Sequence, residues 1–289
     1  MAFRTVIVDT HSKLEYSLNY LIFRTSDDIK RVLLDEVHTI IVKSTAVSLT
    51  SSLLSELVKR KIKVIFCDEK SNPISELSPL YGSHNVSGRL FEQINWPNEY
   101  KDEIWKRIIE EKIINQANSL YRKGKIDEYH QLIEYSNNVQ PGDITNREGH
   151  SAKVYFNSRY FKGFTRDEDC PLNAYLNYGY SLILSQFNRC IVACGYLTQI
   201  GIHHKNEFNQ YNLSCDLMEP FRFVIDDFVE DIKEESNWKE ELIGILSKDV
   251  EIDGKFQSLA NAINIYCLSV FNAINNGNVA KIKFIKNEL

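Results

Sequence analysis

Three features that define other classes of protein are missing from this sequence. No run approaches the roughly 20 uninterrupted apolar residues that a membrane-spanning helix needs, so we expect no membrane partner. Arg4 and Asp9 interrupt any apolar run at the start, which argues against a signal peptide. The six cysteines are scattered without C-x-x-C spacing, so we expect reduced thiols and a cytoplasmic location.

An excess of positive charge is missing as well. The 289 residues include 34 lysines and arginines against 39 aspartates and glutamates, which gives a net charge of −5. This balance argues against a protein that coats nucleic acid generally, but it leaves room for local basic patches. The hydrophobic content of 43% is that of an ordinary globular protein, and the length predicts one large domain or two smaller ones.

Glycine is absent from the first 80 residues, which are rich in strand-forming side chains. Residues 5–8, 37–42 and 62–67 are rich in strand-forming side chains over lengths that suit strands. Residues 48–59 instead repeat their leucines at helical spacing. The sequence therefore predicts a β-rich N-terminal domain with one helix packed on it.

Beyond Leu90 the apolar residues follow a helical period almost throughout. Trp105 begins one such stripe, which continues through the isoleucines of residues 108–114. Residues 172–197 are apolar all round, which predicts a helix buried on several sides. That helix should stop before Gly201, because glycine best tolerates the left-handed turn that follows many helices.

The remaining patterns complete an α+β architecture. Asp253-Gly254 predicts a hairpin turn, and residues 256–274 predict a final helix. The predicted organisation is a β-rich N-terminal domain over residues 1–85, a linker or first helix over 86–97, and an α-helical domain over 98–289.

Two histidines and two acidic residues lie close together between residues 201 and 222. His203 and His204 precede a polar loop, and Asp216 and Glu219 stand three apart, so that on one helix they would share a face. One imidazole with carboxylate oxygens suits Mn²⁺ or Mg²⁺ better than the thiolate-rich zinc sites. The alternative is that the carboxylates complement a helix dipole and that the histidine is an ordinary hydrogen-bonded residue.

A further acidic residue, Glu148, is predicted to face the core and to complete a ligand set. On a helix it aligns with Ala152, Tyr155 and Phe156, which are apolar or aromatic. The alternative is that Thr145-x-x-Glu148 is a capping box, in which the glutamate bonds the backbone at the helix start.

Pro220 predicts a break beside Glu219. Because proline has no N–H, it cannot bond the carbonyl of Asp216. A helix should therefore begin or bend here and set the Glu219 carboxylate at an irregular turn.

Six short motifs, spaced along nearly the whole chain, carry a resemblance. They are FCD at 66–68, PLYGSHN at 79–85, NREGH at 146–150, NAYLNYGY at 173–180, GIHH at 201–204 and DLMEPFR at 216–222. Together they resemble the Cas1 family of CRISPR spacer-acquisition integrases, in the form found in type II systems. The resemblance implies a β-sandwich N-terminal domain that dimerises, an all-helical catalytic domain and a homodimer.

The resemblance also implies a set of site residues. Glu148, His204 and Glu219 would be the catalytic metal ligands, with Asp216 beside them to orient His204 or a water, while His203 would be structural. Tyr178 would neighbour the DNA end. By their positions Arg147, Lys205 and Arg222 would neutralise phosphates, although they could equally be ordinary solvated charges.

The implied reaction is a metal-dependent transesterification. A 3′-hydroxyl of a short DNA duplex, the spacer precursor, attacks a phosphodiester of the CRISPR repeat, with Mg²⁺ or Mn²⁺ as cofactor. The sequence has no Walker loop, consistent with a reaction that needs no ATP. The implied partners are double-stranded DNA, a second copy of the chain, a small Cas2 subunit and other type II adaptation proteins.

Two other functions use the same residues. One is a metal-dependent endonuclease or junction resolvase, in which water is the nucleophile. The other is a non-catalytic assembly subunit, in which the acidic cluster is a solvated face. Metal dependence separates the assembly subunit from the enzymes, and dependence on a DNA 3′-hydroxyl separates the integrase from the nuclease.

Overall fold

The computed structural model describes residues 4–77, 85–232 and 237–287. The chain divides into two compact units, Met1–Gly82 and Ser83–Leu289. Most of the motif at residues 79–85 lies outside the described residues. Among the residues that are described, no helix is both long and apolar enough to cross a bilayer.

In the described part of the first unit, residues 4–77, eight strands form two four-stranded sheets. They are β1 (Arg4–Val8), β2 (Ser12–Ser17), β3 (Tyr20–Arg24), β4 (Ile29–Leu33), β5 (Val37–Val42), β6 (Val47–Leu49), β7 (Lys63–Cys67) and β8 (Pro73–Glu76). One sheet has the order β1-β5-β7-β8, with its first three strands parallel and β8 antiparallel. The other has the order β4-β3-β2-β6, with β6 parallel to β2 and the remaining pairs antiparallel.

One helix, α1 (Ser51–Lys59), completes this unit. The Thr50 side chain caps it by accepting a hydrogen bond from the backbone N–H of Leu53 at 3.3 Å. Leu53 and Leu57 lie one turn apart and join a core to which both sheets contribute, for example through Leu14 and Ile40. Two sheets that share one apolar core confirm the sandwich-like β-rich domain with one packed helix.

The second unit is helical, with one hairpin. Its helices are α2 (Val86–Ile94), α3 (Asn98–Arg122), α4 (Ile126–Asn137), α5 (Arg147–Arg159), α6 (Pro171–Ala193), α7 (Asn212–Met218), α8 (Arg222–Val229), α9 (Trp238–Gly244) and α10 (Leu259–Asn276). Strands β9 (Asp249–Ile252) and β10 (Lys255–Ser258) pair antiparallel. The two residues between them, Asp253 and Gly254, have φ values of 55° and 72°, which confirms the predicted hairpin turn.

The 25-residue helix α3 is the element around which the site is built. Trp105, Ile108, Ile109 and Ile113 are buried along one face, as their spacing predicts. The helix packs against α4, α5, α8 and α10, and against a short 3₁₀ turn over Glu219–Phe221. Any polar side chain on this buried face is consequently held among several other elements.

Two predicted helix limits are wrong. Helix α10 begins at Leu259, because residues from 255 onward first pair with β9. Helix α6 ends at Ala193, well before Gly201, because Gly195 adopts the left-handed conformation with a φ of 86°. The N–H of Gly195 bonds the carbonyl of Val192 at 3.0 Å, and this terminates the helix.

Candidate functional site

The loop that follows α6 is wrapped around one buried carboxylate, that of Asp216 in α7. Its Oδ2 accepts the backbone N–H of Ile202 at 2.6 Å and that of His203 at 2.9 Å. Its Oδ1 accepts the backbone N–H of His204 at 3.1 Å and pairs with Nδ1 of the His204 ring at 2.5 Å. The Asp216 side chain is fully buried, so this carboxylate fixes both the path of the loop and the orientation of the His204 ring.

Gly201 is required in this loop by space rather than by backbone angle. A Cβ added to it would lie 2.5 Å from the carbonyl oxygen of His204 and 2.7 Å from Oδ2 of Asp216. Side chains do not fit at such distances. The role predicted for Gly201 as a left-handed helix stop is therefore wrong, and its role is to let the loop close on Asp216.

The hydrogen bond to Asp216 occupies one nitrogen of the His204 ring and leaves the other available as a ligand. The pKa of the ring is raised above the ordinary value, chiefly by the hydrogen bond to Asp216. Burial opposes this shift, and the charges of Asp216, Glu219 and Glu148 add smaller upward contributions to the pKa. When the ring is neutral, the bond from Nδ1 to Asp216 places the proton on Nδ1 and the lone pair on Nε2. Nε2 is thus the nitrogen available as a ligand.

His203 has a different environment. Its ring stacks on Trp105 with centroids 4.3 Å apart and planes 3° from parallel, whereas His204 meets the edge of the same indole. The indole of Trp105 is buried and provides a flat wall for the loop.

Glu219 lies at the break that Pro220 creates. Helix α7 ends at Met218, and the 3₁₀ turn over Glu219–Phe221 leads into α8, which confirms the predicted irregular turn. The carboxylate is 4% exposed, and Arg222 donates to its Oε1 from Nε at 2.9 Å and from Nη2 at 2.8 Å. Burial alone would raise the pKa of Glu219, but the charges of Arg222 and Lys112 hold that pKa well below its usual range.

Glu148, in the first turn of α5, does not cap its own helix through a capping box with Thr145. Asp143 accepts the backbone N–H groups of Arg147 at 2.8 Å and of Glu148 at 2.9 Å, and Asn146 accepts that of Gly149 at 3.2 Å. Since these two residues satisfy the helix start, the Glu148 carboxylate is turned elsewhere. Its Oε1 is 2.6 Å from the ammonium of Lys112.

Lys112 is the site residue that sequence reasoning missed. Its Nζ lies 2.6 Å from Oε1 of Glu148 and 2.5 Å from Oε2 of Glu219, so one ammonium joins the two carboxylates. Burial would lower the pKa of Lys112, but Glu219 and Glu148 outweigh it and raise that pKa above the usual value. The available signal was a charged residue four positions after Ile108, on the apolar face of α3.

The residues predicted to contact DNA have varied surroundings. The Arg222 guanidinium pairs with Glu219 and lies over the Tyr180 ring, 4.7 Å from its centroid. Tyr178 is buried with its ring edge-on to that of Trp238 in α9. Lys205 is exposed in the loop that follows His204. Only Lys205 among these three presents an exposed charge to solvent.

Arg147 precedes Glu148 at the start of α5, next to the acidic cluster. Its guanidinium lies 5.4 Å from the centroid of the Tyr135 ring. The side chain is half-buried. The Arg147 guanidinium therefore lies against α4, and the residue itself is next to Glu148 along the chain.

The four acidic and histidine positions predicted from the sequence come from three separated parts of the chain. Across residues 4–77, 85–232 and 237–287, no three histidine, cysteine, aspartate or glutamate side chains are close enough together to hold a metal ion. The Lys112 ammonium lies between Glu148 and Glu219 instead. The donor types nevertheless fit a divalent cation, because two carboxylates already share one cation and Asp216 orients the His204 imidazole through Nδ1.

Comparison with known proteins identifies the family of this chain. The model of the family described as CRISPR associated protein Cas1 matches residues 5–242. The chain belongs to this family. The CRISPR-associated endonuclease Cas1 of Neisseria meningitidis serogroup C is 29% identical to it over 242 residues, which cover 84% of this chain and 80% of that relative.

Solved structures share the fold of this Cas1 chain at low sequence identity. A casposase bound to integration product has a TM-score of 0.75 and 18% identity, covering 99% of this chain and 92% of the casposase. A chain of a Cas6-RT-Cas1–Cas2 complex has a TM-score of 0.73 and 18% identity over 99% of this chain. The Cas1 chain described here spans 36% of that longer polypeptide.

Family membership fixes the general class of activity. As a Cas1 protein, the chain is CRISPR-associated and belongs to a family of endonucleases and integrases.

Proposed function

We propose that this Cas1 protein is a metal-dependent DNA integrase, which joins the 3′-hydroxyl ends of short DNA duplexes to a CRISPR repeat by transesterification. The observation that carries the proposal is the convergence of Glu148 and Glu219 on the buried ammonium of Lys112. The His204 ring is close enough for the charges of both glutamates to contribute to its raised pKa. These side chains come from α5, the turn after α7 and the loop before it. Such a constellation serves phosphoryl transfer better than it serves a solvated assembly surface.

Glu148, Glu219 and Nε2 of His204 are the groups that would hold Mg²⁺ or Mn²⁺. The bound ion would supply Lewis-acid polarisation of the target phosphate and stabilise the leaving oxygen. Asp216 holds Nδ1 of the His204 ring, which leaves Nε2 as the nitrogen that could bind the ion. Arg222 holds Glu219 in its ionised form, which is the form a ligand needs.

Positive side chains near the site are proposed to bind the DNA backbone. Lys205 is exposed on the loop beside His204, and Arg147 flanks Glu148 at the start of α5. Both can approach a phosphate without first breaking an ion pair within this constellation. We expect these two to contribute more to DNA binding than Arg222, whose guanidinium is engaged by Glu219.

The proposal includes partners of this chain. The casposase of similar fold is described as bound to integration product, and the Cas1-containing complex includes Cas2. These two structures support assembly with double-stranded DNA and with a small Cas2 subunit, which we propose sets the spacing between two active sites. A homodimer joined through the N-terminal domain, and contacts with other type II adaptation proteins, belong to the same proposal.

The alternative activity is DNA hydrolysis by the same residues. An integrase holds a DNA 3′-hydroxyl against the target phosphate, and this placement is worth an effective concentration of about 10⁵ M or more, against about 55 M for bulk water. The nucleophile therefore distinguishes the two activities.

The deciding experiment compares two donor duplexes on a supercoiled plasmid that carries the repeat, with Cas2 present. The native donor should give nicked plasmid covalently joined to the donor strand. A donor that ends in a 3′-dideoxynucleotide should bind normally and give no joined product. If plasmid nicking is unchanged with the dideoxy donor, water is the nucleophile and the protein is a nuclease.

A further inference from the structure

Lys112 is a buried lysine whose ammonium has two carboxylate partners. Its side chain is 8% exposed on the apolar face of α3, and its ammonium contacts two carboxylates at 2.6 and 2.5 Å. The carboxylates reach it from different elements, Glu148 from α5 and Glu219 from the 3₁₀ turn. A buried ammonium is costly unless it is paired, so this position requires both partners.

The oxygens of Glu219 are divided between two cations. Oε1 accepts both hydrogen bonds from Arg222, and Oε2 contacts Lys112. Glu148 likewise contacts Lys112 through Oε1. A divalent ion that used Glu219 would need an oxygen atom that Lys112 or Arg222 already contacts, and one that used Glu148 would share that carboxylate with Lys112.

We propose that Lys112 is a built-in cation that joins Glu148 and Glu219 before metal binds and competes with the divalent ion for their oxygens. Metal binding would then require the ammonium to release at least one of the two carboxylates. This inference rests on the proposed metal-dependent function. It assigns Lys112 a role in setting the affinity for metal and in stabilising the metal-free protein.

Two opposite effects follow when the ammonium is removed. The two carboxylates lose their shared counter-charge, so the metal-free protein should become less stable. The divalent ion loses a competing charge a few ångströms away, so its affinity should rise by about tenfold or more. A lysine that merely oriented the ligands would act in the other direction, because losing an orienting partner typically weakens metal affinity by about 10- to 100-fold.

The test is Mn²⁺ titration of the purified full-length chain by calorimetry, with free Mn²⁺ followed by electron paramagnetic resonance. Lys112→Met should bind Mn²⁺ more tightly than wild type and should melt at a lower temperature without metal. Lys63→Met is the matched control, because Lys63 is 4% exposed in the other unit and pairs with Glu76. The control should melt at a lower temperature but leave Mn²⁺ affinity unchanged. Equal or weaker Mn²⁺ binding by Lys112→Met overturns the inference.

A second measurement needs no variant and so does not depend on folding of Lys112→Met. Crystals of the wild-type protein grown with and without Mn²⁺ should differ at Lys112. Its Nζ should contact both carboxylates without the ion and at most one with it, and retention of both contacts around bound Mn²⁺ overturns the inference. If wild-type protein binds no Mn²⁺ at all, the proposed metal-dependent function fails, which is a distinct outcome.

Discussion

The side chain of Asn115 donates a hydrogen bond from Nδ2 to the backbone carbonyl of Pro220 at 3.0 Å. Asn115 lies one turn after Lys112 on α3, and Pro220 is the residue next to Glu219. The helix that carries the bridging lysine therefore also anchors the turn that carries the glutamate. Two contacts from α3, one to backbone and one to side chain, hold Glu219 at the site.

This anchor predicts a measurable effect of Asn115→Ala. The buried Pro220 carbonyl would lose its side-chain donor, which should lower the free energy of unfolding by about 1–3 kcal/mol. Strand transfer should fall further than stability explains, because Glu219 would be held less firmly. Urea denaturation and a plasmid integration assay provide the two measurements.

Asn118→Ala is the control, since Asn118 lies on the same helix but bonds the carbonyl of Asn287. Equal loss of activity in both variants would argue against the anchor.

The proposed ligands predict loss of activity without loss of fold. Glu148→Ala, His204→Ala and Glu219→Ala should each abolish strand transfer in Mn²⁺, because each removes a proposed ligand. Glu219→Ala also removes the carboxylate that pairs with Arg222 and leaves Lys112 with Glu148 alone, so circular dichroism must show that the variant is folded. His203→Ala is the control and should keep strand transfer, since its ring stacks on Trp105. Wild-type activity in any of the three variants would remove that residue from the site.

Asp216 and Glu219 are predicted to respond differently to conversion into amides. Asp216 contacts His204 and the loop backbone, so Asp216→Asn should reduce activity by about 10- to 100-fold and respond to added Mn²⁺. Glu219→Gln changes a proposed ligand and should be inactive at every Mn²⁺ concentration. Strand-transfer rates over a Mn²⁺ titration make the comparison, and the reverse ranking would mean that the two roles are exchanged.

Gly201→Ala tests the close approach of the loop to Asp216. The added methyl group would lie within 3 Å of the His204 carbonyl oxygen and of Oδ2 of Asp216, so the loop must move away. We expect the free energy of unfolding to fall by about 1–3 kcal/mol, which is typical of overpacked interiors. Strand-transfer activity should fall by more than this loss of stability explains. Gly244→Ala is the control, because a Cβ there meets no atom within 4 Å. Thermal melts and integration assays that give wild-type values for Gly201→Ala would contradict the packing argument.

A buried carboxyl outside the site predicts a pH dependence of stability. Asp226 in α8 accepts hydrogen bonds from Tyr155 at 3.0 Å and from Tyr180, and burial raises its pKa from 3.8 to about 6. The folded state binds the Asp226 proton more tightly than the unfolded state does. The protonated carboxyl therefore contributes its full stabilisation of the folded state below pH 3.8. This stabilisation is lost as pH rises through about 6.

Asp226→Asn removes this titration and leaves the other groups unchanged. The stability of the variant relative to wild type should therefore increase by about 1 kcal/mol between pH 5 and pH 7. Urea denaturation of both proteins at the two pH values measures it. A stability difference that stays constant with pH would show that Asp226 is ionised over the whole range.

Local sequence pattern was sufficient for much of the fold. The β-branched segments of the first unit, the apolar stripe of α3 and the Asp253-Gly254 turn depend on side-chain periodicity and backbone preference, which are properties of neighbouring residues. The break at Pro220 depends on one missing N–H, so it too is local. The spaced motifs were enough to predict Glu148, His204 and Glu219 as ligands, and those roles stay predictions.

Partners distant in sequence could be identified only from the tertiary structure. The predicted limit of α6 is wrong because the prediction rested on Gly201, whereas Gly195 adopts the left-handed conformation that ends the helix. The capping alternative for Glu148 was settled by Asp143, which a turn before α5 brings to the helix start. Lys112 lies 36 residues from Glu148 in sequence, and their contact exists because α3 packs against α5. Charge pairing across elements depends on that packing, so the sequence supplied the ionisable groups and the tertiary structure determined their pairing.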